Sequence, residues 1–317
     1  MRLNGLVVMV SLICGSKKAK MIEFKVLELS DKAILQPFVK TKGRWISDTN
    51  FTNMFMWRHA REISYALLQG QCIIQTRYPN ENPFVFYPLG VGDKKPVIEA
   101  LIQHYKALHL PLEFRSLLQN ECDELSECFP QSFEIEQKRD RFDYMYLTQE
   151  LIELSGRKFH KKKNHLNRFY LQYPQTQFES LTNANMNEVI ALNNMWYAKA
   201  DKNDKGLYFE NLGINDALRH FDELCLQGGL LRIDGEIVAF SFGEELDCDC
   251  ALIHIEKANI AFNGAYQAIN QALLKHHFAN TQYANREEDL GIEGLRKAKL
   301  SYQPNFLLEK YYARLKM

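Results

Sequence analysis

The amino-acid sequence predicts an α+β fold in which one order of elements occurs twice. Three observations carry this. Residues 61–89 and 229–256 each alternate short apolar runs with turn residues, the pattern of an antiparallel meander. Each meander runs into a loop bearing glycine, then into a segment with apolar residues at helical spacing. Each of those helices leads to a further strand-like run, at 112–118 and 283–291. Helices set apart from mostly antiparallel strands define the α+β class.

Element by element, 23–29 reads as a strand, and Ser30 and Asp31 offer caps for a helix reaching about Lys40. Trp45, Phe51, Phe55 and Trp57 are spaced for a buried helical face or a packed loop. The first meander turns at Gly70 and at Pro79 to Asn82, and Val97, Leu101 and Tyr105 mark the helix after "GVGDKK". Asn120 is a candidate cap for a short helix behind the strand "LEFRSLL". In the second half, Ala217, Leu218, Phe221, Leu224 and Cys225 form one stripe, with Gly228 and Gly229 as its expected C-cap. Asp234-Gly235 is a two-residue hairpin signal. A third strand over 251–256, the helix "GAYQAINQALLKHHF", the strand "YANREEDLG", a short helix near Leu295 and a last strand "NFLLEKYYARL" complete the order.

The bulk composition excludes several classes. Lys+Arg and Asp+Glu are equal at 39, so affinity for a polyanion has to be local, and nothing points to DNA. The chain has 7 cysteines without paired C-x-x-C units, which reads as reduced thiols in a cytosolic protein with no metal site. The apolar run "LNGLVVMVSLICG" is too short to span a bilayer and lacks a small-x-small cleavage site. Because "MIEFKVLEL" at Met21 reads as a natural start, residues 1–20 are expected to be an over-extended tail, with an export signal as the minority alternative.

Four stretches carry a resemblance: "SDTNFTNMFMW" (47–57), "DYMYLTQELIELSGRKFHKKKNHLNRF" (143–169), "NREEDLGIEGLRKAKLSYQP" (285–304) and the closing "YY" strand. The sequence resembles a bacterial family related to the C-terminal catalytic domain of lysyl-phosphatidylglycerol synthases. That resemblance implies two tandem GCN5-related N-acetyltransferase-like domains, each a mixed, mostly antiparallel sheet flanked by helices. The expected boundaries are 21–150 and 151–317, with a basic linking helix at 151–170. It implies transfer of an acyl group, specifically an aminoacyl group from an aminoacyl-tRNA to a small-molecule or lipid acceptor. Acyl-coenzyme A as donor, and a catalytically silent nucleotide- or tRNA-binding protein, stay open. The expected setting is cytoplasmic, with an anionic membrane surface as a further partner, no transmembrane segment and no tightly bound cofactor.

Within the third stretch Glu288, Asp289 and Glu293 are candidates for taking a nucleophile's proton or gripping an ammonium. Arg296, Lys299 and Tyr302 are candidates for holding a phosphate or protonating a leaving group. Donor phosphates are expected on the basic segment, at Lys158, Lys162, Lys163, Asn164 and Arg168. No acidic residue lies between Arg157 and Arg168 to balance that run. Leu154, Phe159, Leu166 and Phe169 form its apolar side. Asn263 and Gly264, before a helix, offer a partial pyrophosphate cradle, weighed evenly against a simple packed helix start. For "GVGDKK" a capped loop is the stronger reading.

Overall fold

The computed structural model describes residues 21–199 and 203–316; the expected N-terminal tail lies outside the described residues. In chain order, β1 (Lys25–Val26), α1 (Lys32–Val39) and α2 (Phe51–Trp57) precede the first meander, β2 (Glu62–Leu68), β3 (Gln71–Arg77) and β4 (Phe84–Phe86). Then come α3 (Lys95–Ala107), β5 (Glu113–Leu117), α4 (Gln119–Cys128) and β6 (Phe133–Gln137). The middle of the chain holds β7 (Asp143–Leu147), α5 (Thr148–Glu153), α6 (His160–Gln172), β8 (Gln177–Ser180), α7 (Met186–Ala198) and α8 (Lys205–Arg219). The second meander is β9 (Gln227–Ile233), β10 (Glu236–Asp247) and β11 (Cys250–Ala258). It is followed by α9 (Ala265–His277), β12 (Tyr283–Asn285), α10 (Glu293–Leu300), β13 (Phe306–Leu308) and β14 (Tyr311–Leu315).

The strands form two seven-stranded sheets, in the orders β1-β2-β3-β4-β5-β14-β6 and β8-β9-β10-β11-β12-β7-β13. Position by position the sheets match: antiparallel pairs throughout, with one parallel pair, β4/β5 in the first and β11/β12 in the second. The sixth position of each sheet is filled by a strand from the other half of the chain. Thus β7, on the N-terminal side of the expected boundary at residue 150, lies in the second sheet, and β14 lies in the first. The single closing strand expected over 305–315 is accordingly two strands, β13 and β14, in different sheets.

Val97, Leu101 and Tyr105 are buried, as their spacing predicts. The stripe of α8 and the turn after it also holds, except that Cys225 is exposed, in the left-handed region at φ 58°. The expected C-cap does not form. The helix ends at Arg219, and Gly228 and Gly229 lie in β9, where a Cβ at Gly229 would stand 2.3 Å from the Phe178 ring. Those glycines serve close strand packing rather than helix termination. The basic segment is also interrupted: Leu154 takes φ 47° and ends α5, a short 3-10 turn follows, and α6 starts at His160. Its expected apolar side, Leu154, Phe159, Leu166 and Phe169, is buried. One core cluster runs from Phe51 and Phe55 through Leu218 to Phe240 and Phe242, so α2 joins the two halves in a shared core. Where α2 meets α8, a Cβ on Gly213 would lie 2.6 Å from the Met56 carbonyl oxygen, which only glycine permits.

Candidate active site at the crossing between the sheets

The chain passes from one sheet to the other twice, at 138–142 and at Glu309–Lys310, and the two crossings are tied by the Lys138 amide donating to the Lys310 carbonyl at 2.9 Å. Lys310 is 0% exposed. A buried ammonium needs partners, and it has them: Nζ donates to Asp48 Oδ2 at 2.5 Å, Asp143 Oδ1 at 2.7 Å and Ser47 Oγ at 3.1 Å. Glu288 Oε2 stands 3.9 Å away. Asp143, the first residue of β7, is held further by the Ser47 amide at 2.9 Å, Ser47 Oγ at 2.8 Å and Asn285 Nδ2 at 3.1 Å. Arg141, in the first crossing, pairs with Glu288 Oε1 at 3.5 Å.

Three carboxylates therefore share two cations at a partly open junction. Burial raises Asp48, but the charge and hydrogen bond of Lys310 outweigh it and hold its carboxyl below the ordinary range. Burial pushes Glu288 up, and the charges of Asp48 and Asp143 add to this against Lys310 and Arg141. Burial likewise raises Asp143. Burial opposes the charge on Lys310, yet the three acids keep its ammonium well above the usual range. Glu288 combines the looser contacts with a raised affinity for a proton, which suits it to accept one.

Asp289 does something else. It is 0% exposed, and its oxygens accept from Arg296 Nε and Nη2, both at 2.8 Å, from the Tyr144 hydroxyl at 2.6 Å and from the Gly291 amide at 2.9 Å. Burial alone would raise it, but these donors hold its carboxyl far below the ordinary carboxylate range. Asp289 and Arg296 thus lock the turn that leads into α10, with neither left over for a substrate. Lys299 is similarly occupied: its Nζ donates to the carbonyls of Arg286 at 2.5 Å and Glu288 at 2.6 Å, and burial lowers its proton affinity. Glu293 is exposed in the first turn of α10. Of the expected acid and phosphate groups in this stretch, the structure brings only Glu288 to the Lys310 cluster; Asp289 and Arg296 reach the first crossing at Arg139, 3.2 Å away, and Asp140, 2.6 Å away.

Tyr302 lies elsewhere, beneath α6. The Lys162 ammonium sits 4.1 Å from its ring centroid and the Arg286 guanidinium 4.7 Å, and burial pushes its hydroxyl up to about 12. The other basic-segment residues divide. Lys158 pairs with Glu150 at 2.7 Å and Lys163 Nζ donates to the Glu153 carbonyl at 2.8 Å, so two cations of the run are turned to partners upstream of it. Asn164 is exposed, 3.4 Å from His160 Nδ1, and Arg168 is exposed. The start of α9 is not an open cradle. Gly264 has φ 96°, and a Cβ there would stand 2.8 Å from both the His165 carbonyl oxygen and Phe169 Cβ. Helix α6 is packed against it, so the smallness of Gly264 serves helix contact; Asn263 beside it is exposed. In "GVGDKK", Lys94 turns back to the Gly90 carbonyl and Asp93 Oδ1 accepts from the Lys95 amide at 2.9 Å, giving a capped loop.

Sequence reasoning missed Ser47, Asp48, Asp143, Arg141 and Lys310. A lone lysine between "NFLLE" and "YYARL" was the available signal, since a strand with apolar neighbours on both sides places a charge where it needs partners. His254 of β11 is buried between two acids. Its Nδ1 is 3.0 Å from Glu287 Oε1 and its Nε2 3.1 Å from Glu244 Oε1. Burial lowers its proton affinity, but the two carboxylates overcome this and raise it to about 9. Asn53 of α2 donates to the same Glu287 oxygen at 3.2 Å, linking this pair to the first half of the chain.

Two matched mixed sheets, with a buried cluster of acids and cations where the chain crosses between them, define a tandem GCN5-related N-acetyltransferase-like fold. Residues 40–314 match the family described as phosphatidylglycerol lysyltransferase, C-terminal, and the chain belongs to that family. It is similar to a conserved protein of unknown function from Bacteroides thetaiotaomicron VPI-5482, at 35% identity and a TM-score of 0.88, covering 93% of this chain and 100% of the other. At 15% identity it shares the fold of the C-terminal domain of a putative lysylphosphatidylglycerol synthetase from Agrobacterium fabrum, with a TM-score of 0.62 and 91% of each chain covered. An uncharacterized protein from Mycoplasmoides gallisepticum is 26% identical over 179 residues, and the matched part spans 56% of that relative and 55% of this chain. Among the described residues no helix is long and apolar enough to cross a membrane.

Proposed function

We propose that this protein transfers an aminoacyl group from an aminoacyl-tRNA to a small-molecule or lipid acceptor, with Glu288 as general base. The carrying observation is the Glu288 carboxyl, whose proton affinity burial raises, held by loose contacts beside Lys310 and Arg141. Family membership supports acyl transfer as the reaction class. In the step, an acceptor hydroxyl or amine gives its proton to Glu288 as its lone pair attacks the ester carbonyl. The new acceptor–carbon bond forms, the carbon–oxygen bond to the tRNA 3′ end breaks, and the leaving oxygen takes the proton back. Arg141, a third exposed at the cluster's edge, is the donor suited to the oxyanion that develops.

Acyl-coenzyme A is the weaker donor. The packing of α6 onto Gly264 occupies the helix start at which a pyrophosphate would bind. A catalytically silent tRNA binder draws its support from the internal partners of Asp289, Arg296 and Lys299. The transfer reading belongs to the cytoplasm, where charged tRNA is made, with an anionic lipid surface as the place an acceptor would be met.

Labelled aminoacyl-tRNA incubated with the protein and a total extract of lipids and small molecules tests this. Protein-dependent movement of label into an acceptor, lost in Glu288→Gln, supports the reading. Bound tRNA without transfer overturns it in favour of the silent binder.

A further inference from the structure

Beneath α6, two cations converge without enough negative charge to balance them. Arg286 Nε and Nη2 donate to Glu256 Oε2 at 3.0 and 2.5 Å, and the other oxygen of Glu256 accepts from Asn270 Nδ2 at 2.6 Å. Nη1 of Arg286 is buried and has no hydrogen-bond partner. Buried polar groups are nearly always paired, so an orphaned guanidinium nitrogen needs an explanation. Lys162 brings a second positive charge over the same Tyr302 ring that Arg286 faces, and among the described residues no carboxylate pairs with it. Glu256 cancels one of the two charges and a single positive charge remains.

We propose that Lys162 and Arg286, converging over Tyr302, form a subsite for one phosphodiester group. The guanidinium offers an unused planar donor, the ammonium offers rotatable donors beside it, and a diester carries the one negative charge left to balance. Burial and the neighbouring guanidinium lower the proton affinity of Lys162, as expected of two cations held near each other without an anion between them. Lys163 and Lys158 on the same segment are turned to Glu153 and Glu150, so Lys162 is the residue of the run directed at this point. The subsite deepens the proposed function and rests on it for its place on the donor side. The diester of a tRNA 3′ end and that of a glycerophospholipid headgroup share the chemistry.

The test uses the full chain with lysines labelled at 13Cε, the Lys162 signal being the one lost in Lys162→Gln. The dinucleotide CpA and soluble glycerophosphoglycerol are titrated separately. A saturable shift of the Lys162 signal in the millimolar range is expected, with its titration moved to higher pH. With binding in the variants read from the ligand's saturation-transfer difference signals, which do not need the Lys162 resonance, Lys162→Gln and Arg286→Lys each weaken it at least tenfold, whereas Lys275→Gln, an exposed charge on α9, leaves it unchanged. Arg286→Lys keeps a cation for Glu256, and Lys162→Gln reports independently should that variant not fold. Saturation by CpA alone assigns the subsite to nucleic acid, and by glycerophosphoglycerol alone to a lipid headgroup. No saturable shift with either ligand, or undiminished binding in both variants, overturns the subsite. Aminoacyl transfer without diester binding removes the subsite and leaves the function standing; diester binding without transfer does the reverse.

Discussion

Glu288 and Asp289 are neighbours in sequence with opposite chemistry, and the difference comes from donors rather than from burial. Both are removed from water, but Asp289 collects a bidentate arginine, a phenol and an amide, while Glu288 receives only looser contacts. Glu288→Gln is expected to lower transfer at least a hundredfold at unchanged melting temperature, as for loss of a general base. Asp289→Asn should instead lower the melting temperature, since it removes the charge that Arg296 and Arg139 share at the turn into α10. Thermal unfolding alongside an activity assay separates the two. His254 allows a pH test. Its proton affinity is raised in the folded chain, so its contribution to stability is complete below about pH 6.5 and is lost as pH rises through about 9. The melting temperature should fall across that window, by the equivalent of up to about 3 kcal/mol, and His254→Gln should abolish that slope. Sequence could offer the acids of 285–304 as a group. It could not sort them, because sorting depends on Tyr144 and Arg139, which are 145 and 150 residues from Asp289 along the chain.

Among the elements, those with a strong local period were legible and those defined by partners were not. The two meanders, α3 and α9 follow from turn residues and apolar spacing. Strand β8 and the short β6 were missed, as was α7, whose apolar face is poorly marked because Asn193 lies in it. The buried Asn193 donates to Asn211 and Asn215 of α8, and Asn194, on the exposed side, accepts from the same two amides. At Gly264 the phosphate cradle and the packed helix start weigh evenly, because a glycine that exposes amides before a helix and a glycine kept for helix contact leave the same letter in the sequence. Gly264→Ala is expected to cost more than about 1 kcal/mol, from both the left-handed backbone and the clash with α6. Urea unfolding at equilibrium measures it, and a neutral result would show that α6 can withdraw from α9.

For the molecule as a whole, the repeat was visible in the order of elements and the strand exchange was not. The closing run 305–315 reads as one strand, 143–147 does not read as a strand at all, and local pattern carries nothing on which of two equivalent sheets a strand will join. The exchange makes neither half self-sufficient: β14 lies between β5 and β6, so residues 21–142 alone carry a sheet with an interior strand missing. That fragment is expected to be insoluble or molten by near-ultraviolet circular dichroism, and adding residues 309–316 through a flexible linker should restore a cooperative transition. The same crossings bring Lys310 to Asp143 and Asp48, so the ion cluster and the exchange form together or not at all.

The position of β14 also has a consequence for synthesis. A ribosome delivers the chain from its N-terminus, and β5 and β6 leave the exit tunnel long before residues 311–315 are polymerised. Until then the first sheet carries an open slot with unpaired backbone edges on both sides, the kind of exposed edge that recruits stray strands from other nascent chains. The first half must therefore wait, unfinished, through translation of the whole second half. Its closure is a late event, set by the place of β14 near the end of the chain.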